Sequence, residues 1–208
     1  MKTCALVGAS TFNAEQFLAM YEAGTFDSII AVDGGFASLD EVGVKPDLVL
    51  GDFDSLGYVP KGIRNVRFPV EKDKSDMELA LKRAKSQRFD SVIVFGALGK
   101  RLDHTLANMA VFSKYSELGL KVTAIDEDSA IFFISGPDIF EAPAKESGTV
   151  SVFAMSDKTE GVFERGLKWE LDNVELTNRE SIGLSNELIG EAVMIGVEKG
   201  TLAIFFPL

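Results

Sequence analysis

Residues 48–55 read Leu-Val-Leu-Gly-Asp-Phe-Asp-Ser. An apolar run stops at Gly51, and two carboxylates follow, Asp52 and Asp54, with one phenylalanine between them. The run has the length and the Val/Leu content of a strand buried on both faces, which is the pattern of parallel sheets. Similar short runs occur at 3–8, 28–32, 65–68, 91–95 and 121–125. Helical stretches separate them, at 14–23, 76–85 and 102–118. In the second, Met77, Leu81 and Ala84 recur at i, i+4 and i+7, and in the third Leu102, Leu106 and Met109 repeat that spacing. Alternating strands and helices predict an α/β domain with a mostly parallel sheet.

Beyond Asp126 the texture changes. Apolar runs at 130–134, 149–154, 192–197 and 202–206 are split by Gly, Pro, Asn and Asp, without a long helical period. That predicts a small antiparallel β-sandwich. The acidic link Asp126-Glu127-Asp128 marks the boundary, giving domains 1–126 and 127–208.

The chain has 208 residues, 46% hydrophobic and 25% charged, with a net charge of −11. Those proportions belong to an ordinary soluble globular protein. The acidic balance argues against nucleic-acid binding, which rests on Lys and Arg neutralising phosphates. The single cysteine, Cys4, excludes a disulfide framework and reads as a small core residue. No apolar stretch matches a signal-peptide core or a membrane span, so the expected compartment is the cytoplasm, with no membrane partner.

In open α/β sheets, ligands sit at the carboxyl ends of the strands. Four polar clusters fall there. They supply Asp33 after the second strand, Asp52 and Asp54 after the third, Asp73 and Asp76 after the fourth, and Lys100, Arg101, Asp103 and His104 after the fifth. On an extended segment, Asp52 and Asp54 would face one side about 6–7 Å apart. At an effective dielectric near 20 their repulsion is roughly 2–3 kcal/mol, which a bound cation would offset. Oxygen-only ligands suit Mg²⁺ or Mn²⁺. Gly34, Gly35 and Gly51 would let a ligand approach the backbone. Each aspartate also fits a turn or cap, and Ser75-Asp76-Met77-Glu78 scans as a capping box.

Gly96 and Gly99 precede a helix start that favours anions, with Arg101 as a bidentate phosphate partner and Lys100 as a point charge. Neither a Walker A loop nor a G-x-G-x-x-G occurs. His104, the only histidine, reads as structural, paired with Asp103. Trp169, the only tryptophan, reads as core packing, and Ser185-Asn186 as a turn.

Taken together, A-V-D-G-G (31–35), P-D-L-V-L-G-D-F-D-S (46–55), K-D-K-S-D-M-E-L-A-L (72–81), G-A-L-G-K-R-L-D-H-T-L-A-N (96–108), G-L-K-W-E-L (166–171) and S-N-E (185–187) resemble the thiamin pyrophosphokinase family. The resemblance spans both domains. It implies transfer of the pyrophosphoryl group of ATP to the hydroxyethyl oxygen of thiamin, by a homodimer with shared active sites. It places Asp52, Asp54 and Asp76 on Mg²⁺, with Asp33 and Asp73 in support. Arg101, Asp103, His104 and Asn108 would line the ATP side. Trp169, Ser185 and Asn186 would form the thiamin pocket. The residues alone leave three alternatives open, a pyrophosphokinase for another alcohol of the hydroxymethylpterin type, a non-catalytic sensor of nucleotide or thiamin diphosphate, and a structural dimeric domain with no ligand.

Overall fold

Parallel pairing organises the first half of the chain. Strands β1 (Thr3–Val7), β2 (Ser28–Val32), β3 (Leu48–Gly51), β4 (Asn65–Arg67) and β5 (Ser91–Phe95) lie in the order β5-β1-β2-β3-β4. Every neighbouring pair in that order is parallel. Strand β6 (Lys121–Ile125) borders β5. Both β1 and β5 are buried along their whole length, as the apolar runs predict. The computed structural model describes residues 1–53, 57–58, 62–69, 71 and 73–208.

The helices form for local reasons. Helix α1 (Ala14–Glu22) starts at Asn13, whose side chain accepts from the Gln16 N–H at 3.0 Å. It buries Phe17, whose ring lies 5.2 Å from that of Phe95. Helix α2 (Gly35–Glu41) was absent from the sequence expectation. Its first residue sits against β1 so closely that a Cβ at Gly35 would collide with the Val7 carbonyl oxygen. Helix α3 (Asp76–Ser86) is capped by Ser75, which accepts from the Glu78 N–H at 3.2 Å, and it buries Met77, Leu81 and Ala84 as expected.

Helix α4 (Leu102–Glu117) departs from expectation. Leu102 and Leu106 are 83% and 72% exposed, and the buried face carries Asn108, Phe112, Ser113, Tyr115 and Ser116 instead. Three polar members disguise that face in the sequence.

The chain divides into two units, residues 1–111 with 123–127 and residues 112–122 with 128–208. In the second, β12 (Asn186–Glu187), β9 (Thr149–Ala154), β14 (Thr201–Pro207) and β7 (Ser129–Ser135) lie side by side, all antiparallel. A separate antiparallel sheet has the order β11 (Leu171–Leu176), β10 (Thr159–Arg165), β13 (Val193–Val197) and β8 (Asp138–Ala142). Val152, Leu202 and Ile204 of the first set and Val162, Leu176 and Ile195 of the second share one core. This is the predicted sandwich. The sequence reading located β7, β9, β13 and β14 and missed β8, β10, β11 and β12.

Candidate active site

The carboxyl ends of the parallel strands surround a cleft of about 640 Å³. Its base is two loops locked together. Gly8 N–H donates to the Phe95 carbonyl at 2.8 Å, Ser10 N–H donates to the Gly96 carbonyl at 2.8 Å, and the Ser10 hydroxyl donates to the Leu98 carbonyl. Gly96 has φ +62°, and a Cβ there would collide with the Gly8 carbonyl oxygen, so only glycine fits both the conformation and the space.

Asp33, Asp52, Asp73 and Asp76 all line this cleft, from three different segments of the chain. Asp33 has φ +48°, and its N–H donates to the Leu50 carbonyl at 2.7 Å. Its Oδ1 is buried and lacks a hydrogen-bond partner among the described residues. Gly51 stands beside it, where a Cβ would lie 3.0 Å from the Asp33 Cα. The expected extended geometry of Asp-Phe-Asp does not hold, because Phe53 is buried with φ +64°. The pleat therefore does not set the separation of the two carboxylates, and Asp54 lies outside the described residues. At Gly35 the close neighbour is the backbone of β1, while Gly34 precedes α2 as its N-cap residue.

The same cleft is also lined by Lys100, Arg101, His104 and Asn108. Lys100 Nζ donates to the Ala9 carbonyl at 3.3 Å. Arg101 is held by Asp103 in a two-point pair, Nη2–Oδ2 at 2.7 Å and Nε–Oδ1 at 3.2 Å. The hydrogen bond from Arg101 draws the Asp103 carboxyl down to about 2, with the His104 backbone N–H adding to it. Asp103 thus engages Arg101 through its side chain, where the sequence reading paired it with His104. Asn108 is buried, and its Nδ2 donates to the Ala97 carbonyl at 2.7 Å. Among the described residues no three His, Cys, Asp or Glu side chains converge closely enough to form a metal site by themselves.

Trp169, Ser185 and Asn186 belong to the second unit and form a built corner. Trp169 is 53% exposed, so it is not the core residue its type suggests. Its backbone is clamped by the Asn186 amide. Trp169 N–H donates to Oδ1 at 3.1 Å, and Nδ2 donates to the Trp169 carbonyl at 2.6 Å. Lys168 Nζ lies 4.5 Å from the indole centroid and 2.8 Å from Glu187 Oε2. Ser185 takes φ +60°, with its N–H on Ser151 Oγ at 3.0 Å. A larger depression of about 830 Å³ on the same unit, among Ile139, Phe163 and Arg165, contains none of the predicted residues.

Two family models match the chain. The thiamin pyrophosphokinase catalytic domain covers residues 21–124, and the thiamin pyrophosphokinase vitamin B1 binding domain covers residues 139–202. The chain belongs to the thiamin pyrophosphokinase family. The thiamine pyrophosphokinase of Bacillus subtilis (strain 168) is 28% identical over 179 residues, spanning 83% of this chain and 84% of that protein. The crystal structure of the B. subtilis thiamine pyrophosphokinase superposes with a TM-score of 0.83 at 25% identity, over 99% of both chains. That of Geobacillus thermodenitrificans thiamin pyrophosphokinase gives 0.82 at 25% identity, over 99% of this chain and 97% of that one.

Some lining residues of this family member escaped the sequence reading. Gly8, Ala9 and Ser10 follow β1, and Lys74 precedes α3. The signal for the first three was available, since a Gly at a strand's carboxyl end belongs to the same class as Gly51 and Gly96. No acid stands at 8–10, so the charge pattern does not mark this strand end.

Proposed function

We infer that this chain is a thiamin pyrophosphokinase, which transfers the pyrophosphoryl group of ATP to the hydroxyethyl oxygen of thiamin and releases AMP. The observation that carries the reading is the cleft itself. Four carboxylates line it together with Lys100 and Arg101, at the strand ends where an α/β sheet binds ligands.

The donor set contains only oxygen, and Asp33 Oδ1 has no partner of its own among the described residues, which suits a hard divalent cation. Asp52, Asp54 and Asp76 are the proposed ligands of Mg²⁺ or Mn²⁺, with Asp33 and Asp73 beside them. Substrate phosphates and water would complete the shell of such a cation, so a preassembled protein cage is not needed. When bound, it neutralises phosphate charge and polarises the phosphorus under attack.

The chain's own residues bind and orient. Lys100 and Arg101 face the phosphates, and Arg101 reaches them by exchanging the Asp103 carboxylate for a phosphate, both being two-point acceptors. His104 and Asn108 line the nucleotide side. The acceptor hydroxyl attacks the β-phosphorus in line and releases its proton to water, the bond from that phosphorus to the α,β-bridging oxygen breaks, and AMP leaves with that oxygen. The loose transition state demands little base catalysis.

Residues 1–126 are assigned to nucleotide and metal, and residues 127–208 to thiamin and dimerisation. Trp169, Ser185 and Asn186 form the thiamin wall, shared between two copies in a homodimer. Exposed Ile182, Leu184 and Trp169 in the second unit favour burial against a second surface. Cytoplasmic residence accords with the single free, buried thiol, which burial pushes up to about 12. No helix among the described residues is long and apolar enough to cross a membrane.

The test is chromatographic. Protein, thiamin, ATP and Mg²⁺ are mixed, and AMP and thiamin diphosphate are quantified. Equal formation of both is expected, and absence of both sinks the reading. Mixing inactive Asp52→Asn and Trp169→Ala proteins tests the shared site, because hybrid dimers then regain activity in one of their two sites.

A further inference from the structure

Glu164 is a carboxylate next to the last residue of β10, 1% exposed and buried within the second unit. Its neighbours in register are Leu171 on one side and Ile195 on the other. A charged group in such a place is costly unless its oxygens are satisfied. Only one is. Oε2 accepts from Asn186 Nδ2 at 2.9 Å, while Oε1 is buried without a partner among the described residues. Burial accordingly pushes the carboxyl upward, against the opposing pull of the Asn186 bond. An apolar residue would pack this position at lower cost, so its polarity calls for a role outside packing.

The role lies in what Asn186 holds. Oδ1 accepts from the N–H groups of Trp169 and Glu187, at 3.1 and 2.9 Å. Nδ2 donates to the Trp169 carbonyl at 2.6 Å and to Glu164. All four hydrogen-bonding positions of the amide are therefore used. Of these four bonds, two go to the backbone of Trp169 and one to the residue next to Asn186. The fourth alone reaches the sheet core.

Building on the reading of Trp169 and Asn186 as the thiamin wall, we propose that Glu164 is a positioning residue that anchors the Asn186–Trp169 clamp to β10 and so holds the indole ready for the acceptor. An exposed aromatic side chain on a clamped backbone binds with less ordering cost than a free one.

The test compares Glu164→Met, which packs without an acceptor, with Glu164→Gln, whose carbonyl can still accept from Asn186. Trp169 is the only tryptophan, so its fluorescence anisotropy and acrylamide quenching report the clamp directly. Glu164→Met is expected to lower anisotropy, increase quenching and raise the KM for thiamin about tenfold, with kcat and the KM for ATP within about twofold of wild type. Glu164→Gln is expected to restore most of each change. Should Glu164→Met not fold, Glu164→Asp, too short to reach Asn186, is read in the same way. Unchanged quenching and thiamin KM in the severed variant overturn the proposal, as does a loss spread equally over both substrates. If the wild-type protein makes no thiamin diphosphate, the functional reading fails separately, and quenching still decides whether Glu164 holds Trp169.

Discussion

Asn108 on α4 donates its side-chain amide to the Ala97 carbonyl at 2.7 Å, tying the helix to the loop that leaves β5. Gly96, Lys100 and Arg101 lie on that same loop, and its other edge is fixed by hydrogen bonds to Gly8 and Ser10. The cleft therefore rests on two loops whose polar groups satisfy each other. Its cationic side chains stand on a backbone with little freedom.

Asn108→Leu keeps the volume and removes the donor. The Ala97 carbonyl then lacks its partner, at a cost of about 1–3 kcal/mol. Urea denaturation is expected to show that loss, together with a raised KM for ATP. Wild-type stability in the variant would mean that the bond contributes nothing net.

Gly96→Ala meets two penalties. A φ of +62° costs an alanine about 1–2 kcal/mol, and its Cβ also runs into the Gly8 carbonyl oxygen. Gly24→Ala, at φ +69° with open space around it, carries the first penalty alone. Thermal melts of the two variants should differ, with Gly96→Ala lower by several degrees. Equal melting points would mean that the loops part at little cost.

The alternation of buried strands was legible because Val and Ile runs end at Gly or Asp, and so were the acids at their ends. Asp33, Asp52, Asp73 and Asp76 were named from that pattern and line one cleft. What escaped was written in polar or short segments. Helix α2 has seven residues, with glycine at its start. The buried face of α4 includes Asn108, Ser113 and Ser116, which look like solvent residues. Leu102 and Leu106 supplied a false stripe. Strand β10 contains Glu164 and Arg165, and Asn186, which hydrogen-bonds the buried Glu164, is distant in sequence.

Asp33→Asn separates folding from function. Asparagine tolerates φ +48° as well as aspartate does, and it replaces a carboxylate whose buried Oδ1 has no partner among the described residues. The melting temperature is expected to hold or rise. Turnover with Mg-ATP is expected to fall on the order of 10²-fold, the scale of losing one electrostatic group at a reacting centre. A destabilised variant with normal turnover would assign Asp33 to the fold.

Asp103→Asn tests the proposed exchange of partners at Arg101. The Arg101 hydrogen bond holds the Asp103 carboxyl at about 2, so the pair is intact above the ordinary carboxylate range and is lost as pH falls through 2. Both side chains are exposed, and the effect on stability is small. Carboxyl NMR should show Asp103 titrating near 2 in the wild type and higher in Arg101→Met. In Asp103→Asn, Arg101 is released and the KM for ATP is expected to fall. A raised KM would mean that Asp103 orients Arg101 toward the phosphates rather than competing with them.

Glu164 makes a prediction with the opposite sign. Burial raises its folded-state value above that of the unfolded chain, where glutamate titrates near 4.3. From that pH upward, until the folded-state carboxyl also ionises, the folded protein binds more protons than the unfolded one, so stability falls as pH rises. Glu164→Gln has no such proton. The melting temperature of Glu164→Gln minus that of the wild type should therefore grow as pH rises through this window, then level off once both states of the wild type are ionised. A difference constant from pH 4 to 8 would mean that the carboxylate is solvated as an ordinary surface group, which its position inside β10 does not allow.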